Sequence, residues 1–234
     1  MQLPTTLKQV VEGLRKESLD VAQGELLGSE DEVLARYGVA RPTLRQAAAI
    51  VAQEQLLRVK RGVGGGYIAE RPTTRTVAHI VALFLKTRKT KLDQIVSSMK
   101  PIRAELAALA ATSLSERSRK AFVDFLDRDA RVSSDNLNSR TLFRSQREFQ
   151  EILGEASQNQ VLALYLDILL DLATSLPPEH DVYLGRPERL HAFRRMRRRL
   201  VEAILDGDPE MARLCSHRTS EMSMRWTRSD KNSI

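Results

Sequence analysis

The stretch Ser29-Glu30-Asp31-Glu32-Val33-Leu34-Ala35-Arg36-Tyr37-Gly38-Val39-Ala40-Arg41-Pro42-Thr43-Leu44-Arg45 contains two helix starts separated by one helix stop. Ser29 with Glu32 three residues later is the pattern of a capping box, and Val33, Leu34 and Tyr37 supply the apolar stripe of a short helix. Gly38 can end that helix in a left-handed conformation, and Val39-Ala40 makes the turn. Proline is tolerated in the first turn of a helix, where its missing N–H leaves no intrahelical bond unmade. A second helix therefore starts at Arg41-Pro42 and runs through Leu44, Ala47, Ala48 and Val51 to about Leu56. Leu57 to Arg61 and Tyr67 to Ala69 then read as short strands around Gly62-Val63-Gly64-Gly65-Gly66. This is the plan of a winged helix-turn-helix, three helices plus a β-hairpin wing.

In that plan the N-terminal end of the second helix enters the major groove. Arg41, Thr43 and Arg45 place two guanidinium forks and a hydroxyl there, and Lys60, Arg61 and Gly62 form the basic, close-approaching edge of the wing. These six are the candidate DNA-binding residues. The positive charge is local: eight Lys/Arg (36, 41, 45, 58, 60, 61, 71, 75) lie between Arg36 and Arg75 against Glu54 and Glu70, whereas residues 1 to 35 hold three basic and seven acidic side chains. A solvated basic face that meets an acidic protein partner is the alternative for the same residues.

A length of 234 residues with 42% hydrophobic content can bury two cores, and Arg71-Pro72-Thr73-Thr74 marks the expected boundary between residues 1–72 and 73–234. Cys215 is the single cysteine, so no intramolecular disulfide forms, and neither a membrane span nor a signal peptide is legible. A cytoplasmic protein is expected. Its formal charge of +7 is compatible with a nucleic-acid partner and equally with an acidic protein or lipid surface.

Beyond the boundary every periodic segment is helical, which predicts a mainly α protein whose second domain is an antiparallel bundle of six to seven helices. Val77, Ile80, Val81 and Phe84 form one stripe. Leu92, Ile95, Val96, Met99, Ile102, Leu106 and Leu109 form another, expected to bend or break at Pro101. Helices follow over Ser115 to about Val132, Leu142 to Ala156, Gln160 to about Ser175, Glu188 to Asp206 and Pro209 to about Trp226, with Arg228 to Ile234 frayed. Ser133 to Asn136 and Leu176 to Pro187 read as loops.

The order of these parts resembles the GntR family of bacterial transcription regulators, and within it the FadR-like branch with the all-helical FCD effector domain. Three segments carry the N-terminal likeness: Leu27-Gly28-Ser29-Glu30-Asp31-Glu32-Val33-Leu34, Gly38-Val39-Ala40-Arg41-Pro42-Thr43-Leu44-Arg45, and Arg61-Gly62 to Tyr67. Phe149 to Asn159 and the Glu202-Ala203-Ile204…Asp208…Ala212-Arg213 pattern carry the FCD likeness. The resemblance implies a homodimer that reads a pseudo-palindrome in double-stranded operator DNA, most often as a repressor, and answers to a small-molecule effector. Two departures matter. Asp31 stands where the family usually has a DNA-contacting arginine, which shifts operator recognition onto Arg41, Thr43, Arg45 and the wing. Many FCD domains bind a divalent metal, but the aligned positions here are Gln146, Gln150, Arg197 and Thr219, a poor ligand set, and no metal or other cofactor is expected. His217 lies two residues out of phase and reads as a surface histidine.

Periodicity puts Arg197 inside the apolar face of Leu190, Phe193, Leu200, Val201 and Ile204, and Gln146 inside that of Leu142, Phe149, Leu153 and Ala156, with Gln150 on its flank. Polar groups on such faces need partners. Either they satisfy one another, with Arg197 paired to a neighbouring carboxylate, or Gln146, Phe149, Gln150, Phe193, Arg197 and Thr219 line an effector cavity suited to an organic acid or acyl-CoA. The other arginines of Arg194 to Arg199 are expected to face solvent. No dinucleotide, P-loop, nucleophile-elbow or zinc-protease motif is present, so the chain does not read as an enzyme.

Overall fold

The computed structural model describes residues 5–62, 64–132, 138–174, 183 and 185–231. Val63 of the wing, the expected loop at residues 133–136 and most of the next expected loop lie outside them. The chain divides into two compact units, Met1–Thr76 and Val77–Ile234.

The first unit contains α1 (Thr5–Asp20), β1 (Leu26–Gly28), α2 (Glu30–Tyr37), α3 (Arg41–Gln53), β2 (Leu57–Lys60) and β3 (Gly66–Ala69). Leu7, Val10, Val11 and Leu14 of α1 pack on Leu44, Ala47, Ala48 and Val51 of α3, with Val33, Leu57 and Tyr67 completing the core. The capping box forms as its residue types require: the Ser29 hydroxyl accepts from the Glu32 N–H at 3.3 Å, and Glu32 accepts from the Ser29 N–H at 2.7 Å. Gly38 ends α2 at φ 62°, its N–H donating to the Leu34 carbonyl.

Two features of this unit depart from expectation. The sheet has three strands in the order β1-β3-β2, all antiparallel, so β1 extends the wing hairpin. A three-residue strand is too short to show alternation in sequence. Gly66 permits the pairing, since a Cβ there would sit 2.3 Å from the Gly28 carbonyl oxygen. The second departure is that α3 stops at Gln53 instead of continuing to Leu56. Gln55 takes φ 61°, the Leu56 N–H returns to the Val51 carbonyl, and the chain turns into β2. This is a helix-ending hydrogen-bond pattern made without glycine.

Among the described residues the second unit has seven helices: α4 (Thr74–Thr87), whose first turn belongs to the first unit, α5 (Leu92–Thr112), α6 (Glu116–Arg131), α7 (Ser139–Ala156), α8 (Gln160–Thr174), α9 (Pro187–Leu205) and α10 (Pro209–Lys231). The central helix is α5, packed against α7, α8, α9 and α10. It runs unbroken through Pro101, contrary to the expected break. Proline removes one ladder bond, but Met99, Ala104, Leu106, Ala107, Ala110 and Ala111 on either side are buried and keep the helix continuous. The last helix likewise continues to Lys231, past the expected fraying point. Among the described residues no helix is long and apolar enough to cross a membrane.

Replacing Ser29 with alanine removes the cap acceptor of α2. We expect this to lower the unfolding free energy by about 1 kcal/mol, read as a shift in urea midpoint without a change in slope.

Candidate functional site

Two regions collect the residues singled out above. In the first unit, Arg41 occupies the first position of α3 and Arg45 the next turn, and both are exposed (56% and 67% of the side chain). Thr43 is half-buried between them. The N-cap of α3 is Ala40, which contributes no side-chain acceptor, so the first amides of this helix are uncapped. On the wing Lys60, Arg61 and Gly62 are exposed, and neither cation has an ion-pair partner among the described residues.

The arginines of α3 do have partners. Both oxygens of Glu30 engage Arg45, Nε to Oε1 at 2.7 Å and Nη2 to Oε2 at 3.2 Å. Arg41 donates to Asp31 at 2.6 Å and to Glu30 at 3.4 Å. Arg45 holds the Glu30 carboxyl below the usual carboxylate range, and burial followed by the charge of Glu30 pushes the Tyr67 phenol up. Other members of the expected basic footprint are also engaged. Arg36 pairs with Glu17, Arg58 with Glu70, and Arg71 donates to the Ser18, Leu19 and Val21 carbonyls at the end of α1. The unpaired positive surface is therefore narrower than the sequence suggests, and of the eight Lys/Arg between Arg36 and Arg75 only Lys60, Arg61 and Arg75 have no ion-pair or hydrogen-bond partner among the described residues.

In the second unit Gln146, Phe149 and Gln150 of α7, Phe193 and Arg197 of α9 and Thr219 of α10 line one cavity of about 20 Å³. Arg103 of α5 and Ser216, Ser220 and Ser223 of α10 complete its polar wall. Arg197 is 2% exposed; its Nη2 donates to Asp129 at 2.6 Å and its Nη1 to Gln146 at 3.4 Å. Its guanidinium carbon lies 4.9 Å from the Phe125 ring centre and 5.8 Å from that of Phe193. Burial lowers the pKa of Arg197 and the Asp129 charge opposes the shift. Of the two readings left open for Arg197, the paired carboxylate is thus present. Arg194 shares the same carboxylate at 3.0 Å and is mostly buried, which corrects the expectation that it faces solvent.

Asp129 and Arg103 escaped the sequence reading. Both were legible: Asp129 continues the Phe122, Phe125, Leu126 stripe of α6, and Arg103 sits between Met99 and Leu106 on that of α5. Arg103 differs from Arg197 in having no carboxylate partner among the described residues. Its Nε is buried without a hydrogen bond, and desolvation lowers its pKa to about 10. Both amide atoms of the buried Gln150 are also unpartnered. His217 is half-buried, with its Nδ1 out of solvent, and it does not line the cavity.

The donor set does not fit a metal ion. Two amides and four hydroxyls are weak neutral donors, the two guanidiniums repel a cation, and among the described residues no three His, Cys, Asp or Glu side chains converge.

A winged-helix unit followed by a helical unit with an internal polar cavity defines a two-part chain. The FCD-domain family profile matches residues 94–221, from the first turn of α5 into α10, and the chain belongs to that family. Its whole length is similar in fold to the GntR protein of Streptococcus agalactiae, at 15% identity and a TM-score of 0.68 over 94% of this chain and 99% of that one. It is also similar to E. coli McbR/YncC, at 15% identity and a TM-score of 0.52 over 98% and 100% of the two chains. None of the curated proteins compared matches it in sequence.

Removing one partner of a buried ion pair leaves the other uncompensated. Asp129→Asn should destabilise the helical unit by about 3 kcal/mol, and adding Arg197→Met to that variant should restore part of the loss, since an apolar side chain of similar length tolerates the site. Urea unfolding of the single and double variants measures both.

Proposed function

We propose that this protein is a ligand-responsive transcription regulator of the GntR type that binds operator DNA through α3 and the wing and senses a small anion in the cavity of the helical unit. The observation that carries the reading is the surface of the first unit. An uncapped helix end with Arg41, Thr43 and Arg45 and a wing with unpaired Lys60 and Arg61 form the surface that a duplex requires. Apolar side chains left exposed on α4 (Ile80, Leu83, Phe84) and α8 (Val161, Leu164, Tyr165) support a homodimer, which would read a pseudo-palindrome. Repression, released by the effector, is the mode most frequent in the resembled family.

For the effector, Arg103 replaces Arg197 as the residue that receives the anion, because Asp129 already engages Arg197. Gln150 lies beside it as a second unpartnered donor. The cavity of about 20 Å³ has room for a single water. Every organic ligand needs this arrangement to open, an acyl chain or acyl-CoA far more than a short organic acid or phosphate, and the reading favours the smaller ligands. Anything larger than water must part α5, α7, α9 and α10 to enter. That difference between closed and liganded arrangements is what a coupling between effector and DNA needs.

Binding of the purified full-length chain to duplexes from its own upstream region, against a scrambled duplex, tests the DNA reading; equal affinity for both would refute it. On the operator so defined, a panel of short carboxylates and phosphates should include one that releases the protein. Arg103→Met should still bind the operator with unchanged thermal stability but need at least tenfold more of that compound for release. An unaltered response would remove Arg103 from the site.

A further inference from the structure

The two arginines at the start of α3 are held by carboxylates in different ways, and the difference separates their roles. Glu30 grips Arg45 side-on, through Nε and Nη2. Of the five guanidinium N–H groups this leaves both on Nη1 and one on Nη2. The pair of N–H groups at the end of the side chain, one on each terminal nitrogen, is therefore free and points away from the carboxylate. Arg41 shows the opposite arrangement: Nη1 meets Glu30 and Nη2 meets Asp31, so its terminal fork is spanned by two carboxylates.

A terminal guanidinium fork with parallel N–H groups matches the O6 and N7 acceptors on the major-groove edge of guanine. We propose that Glu30 is the specificity-determining partner of Arg45: it holds the guanidinium side-on so that its free terminal fork selects guanine, while Asp31 and Glu30 together withdraw Arg41 from base reading. This inference rests on the DNA reading proposed above and deepens it.

Charge works in the same direction as geometry. An unpaired arginine is drawn to any phosphate, which adds affinity without discrimination. Glu30 cancels much of that attraction at Arg45, leaving a contact whose worth depends on the base it meets. Arg45 holds the Glu30 carboxyl below its ordinary range, so the pair stays ionised at neutral pH. Glu30 itself is positioned by its place at the first residue of α2, directly after the Ser29 cap.

The test is selection of duplexes from a randomised pool by the full-length chain. It is followed by binding isotherms on the selected duplex and on versions with each guanine changed to adenine, for the wild type and for Glu30→Gln, Arg45→Lys and Asp31→Asn. The wild type should select a guanine whose change to adenine weakens binding about tenfold or more. Glu30→Gln should lose most of that preference at the one position while binding unrelated duplexes more tightly. Arg45→Lys, which keeps the charge but lacks the fork, should lose the same preference. Asp31→Asn should raise affinity for all duplexes and leave the guanine preference intact. Each variant is checked by its circular dichroism and melting temperature, which a surface exchange should leave unchanged. A full guanine preference in folded Glu30→Gln would overturn this inference alone. Failure of the wild type to select any sequence would overturn it together with the DNA reading on which it rests.

Discussion

Burying a guanidinium is costly unless an anion lies within its reach, and in the helical unit one carboxylate meets that need for two arginines. Asp129, on α6, receives Arg194 and Arg197 from α9 and the Ser145 hydroxyl from α7. Three helices are thereby fixed to one point that is only 10% exposed. Phe125 and Phe193 lie against the flat face of the paired Arg197 cation, and Asp129 offsets part of the desolvation cost of burying it there. Arg103 is the unmatched member of this neighbourhood. Arg194 and Arg197 share the single Asp129, and Arg103 lines the same cavity as Arg197 with no carboxylate partner among the described residues, a surplus of positive charge that fits the anion proposed as ligand.

At the surface of the first unit the same chemistry has a different consequence. Exposed pairs such as Arg58 with Glu70 contribute little stability each, because water and salt compete for both partners. What they change is direction and net charge. Most of the basic residues between Arg36 and Arg75 turn out to be paired or occupied with backbone carbonyls, so the density of lysine and arginine in sequence overstates the field that a duplex would meet. Lys60 and Arg61 at the turn of the wing retain theirs. In the proposed DNA reading, non-specific attraction therefore falls mainly on the wing, and α3 is left for contacts that depend on geometry.

The helix-turn-helix was legible because its signals are local: Ser29 with Glu32, Gly38, and Arg41-Pro42 each specify one helix end from a few residues. Apolar periodicity likewise placed the helices of the second unit and put Arg197 and Gln146 on inward faces. The misses have physical causes. The sheet gained β1 because a three-residue strand is defined by its partner β3 and by the glycine that lets two backbones approach. The end of α3 was misplaced because Gln55 takes a backbone conformation usually left to glycine. Pro101 did not break α5 because burial on both sides outweighs one missing hydrogen bond. Which carboxylate answers Arg197 depends on how α6 and α9 pack, and no spacing along the chain states that. Its candidate was nevertheless marked, since Asp129 interrupts an aromatic stripe as Arg197 and Arg103 interrupt aliphatic ones.

A polar residue that interrupts an apolar stripe is therefore only half of an argument, and its partner supplies the other half. Arg197 and Arg103 look alike in sequence, each a single cation among inward-facing apolar positions. Packing separates them into an arginine that closes an internal network and an arginine whose buried Nε has nothing to donate to. The pKa of Arg103 falls only to about 10, so it stays protonated at neutral pH, and the cavity keeps its positive character without help from a metal or a histidine. An anion that reaches it would relieve the cost of an unpaired buried donor as well as gain a charge-assisted hydrogen bond. Both gains exist only in the liganded arrangement. A ligand with that difference between two arrangements can shift the equilibrium between them, even though the closed cavity holds no more than a water.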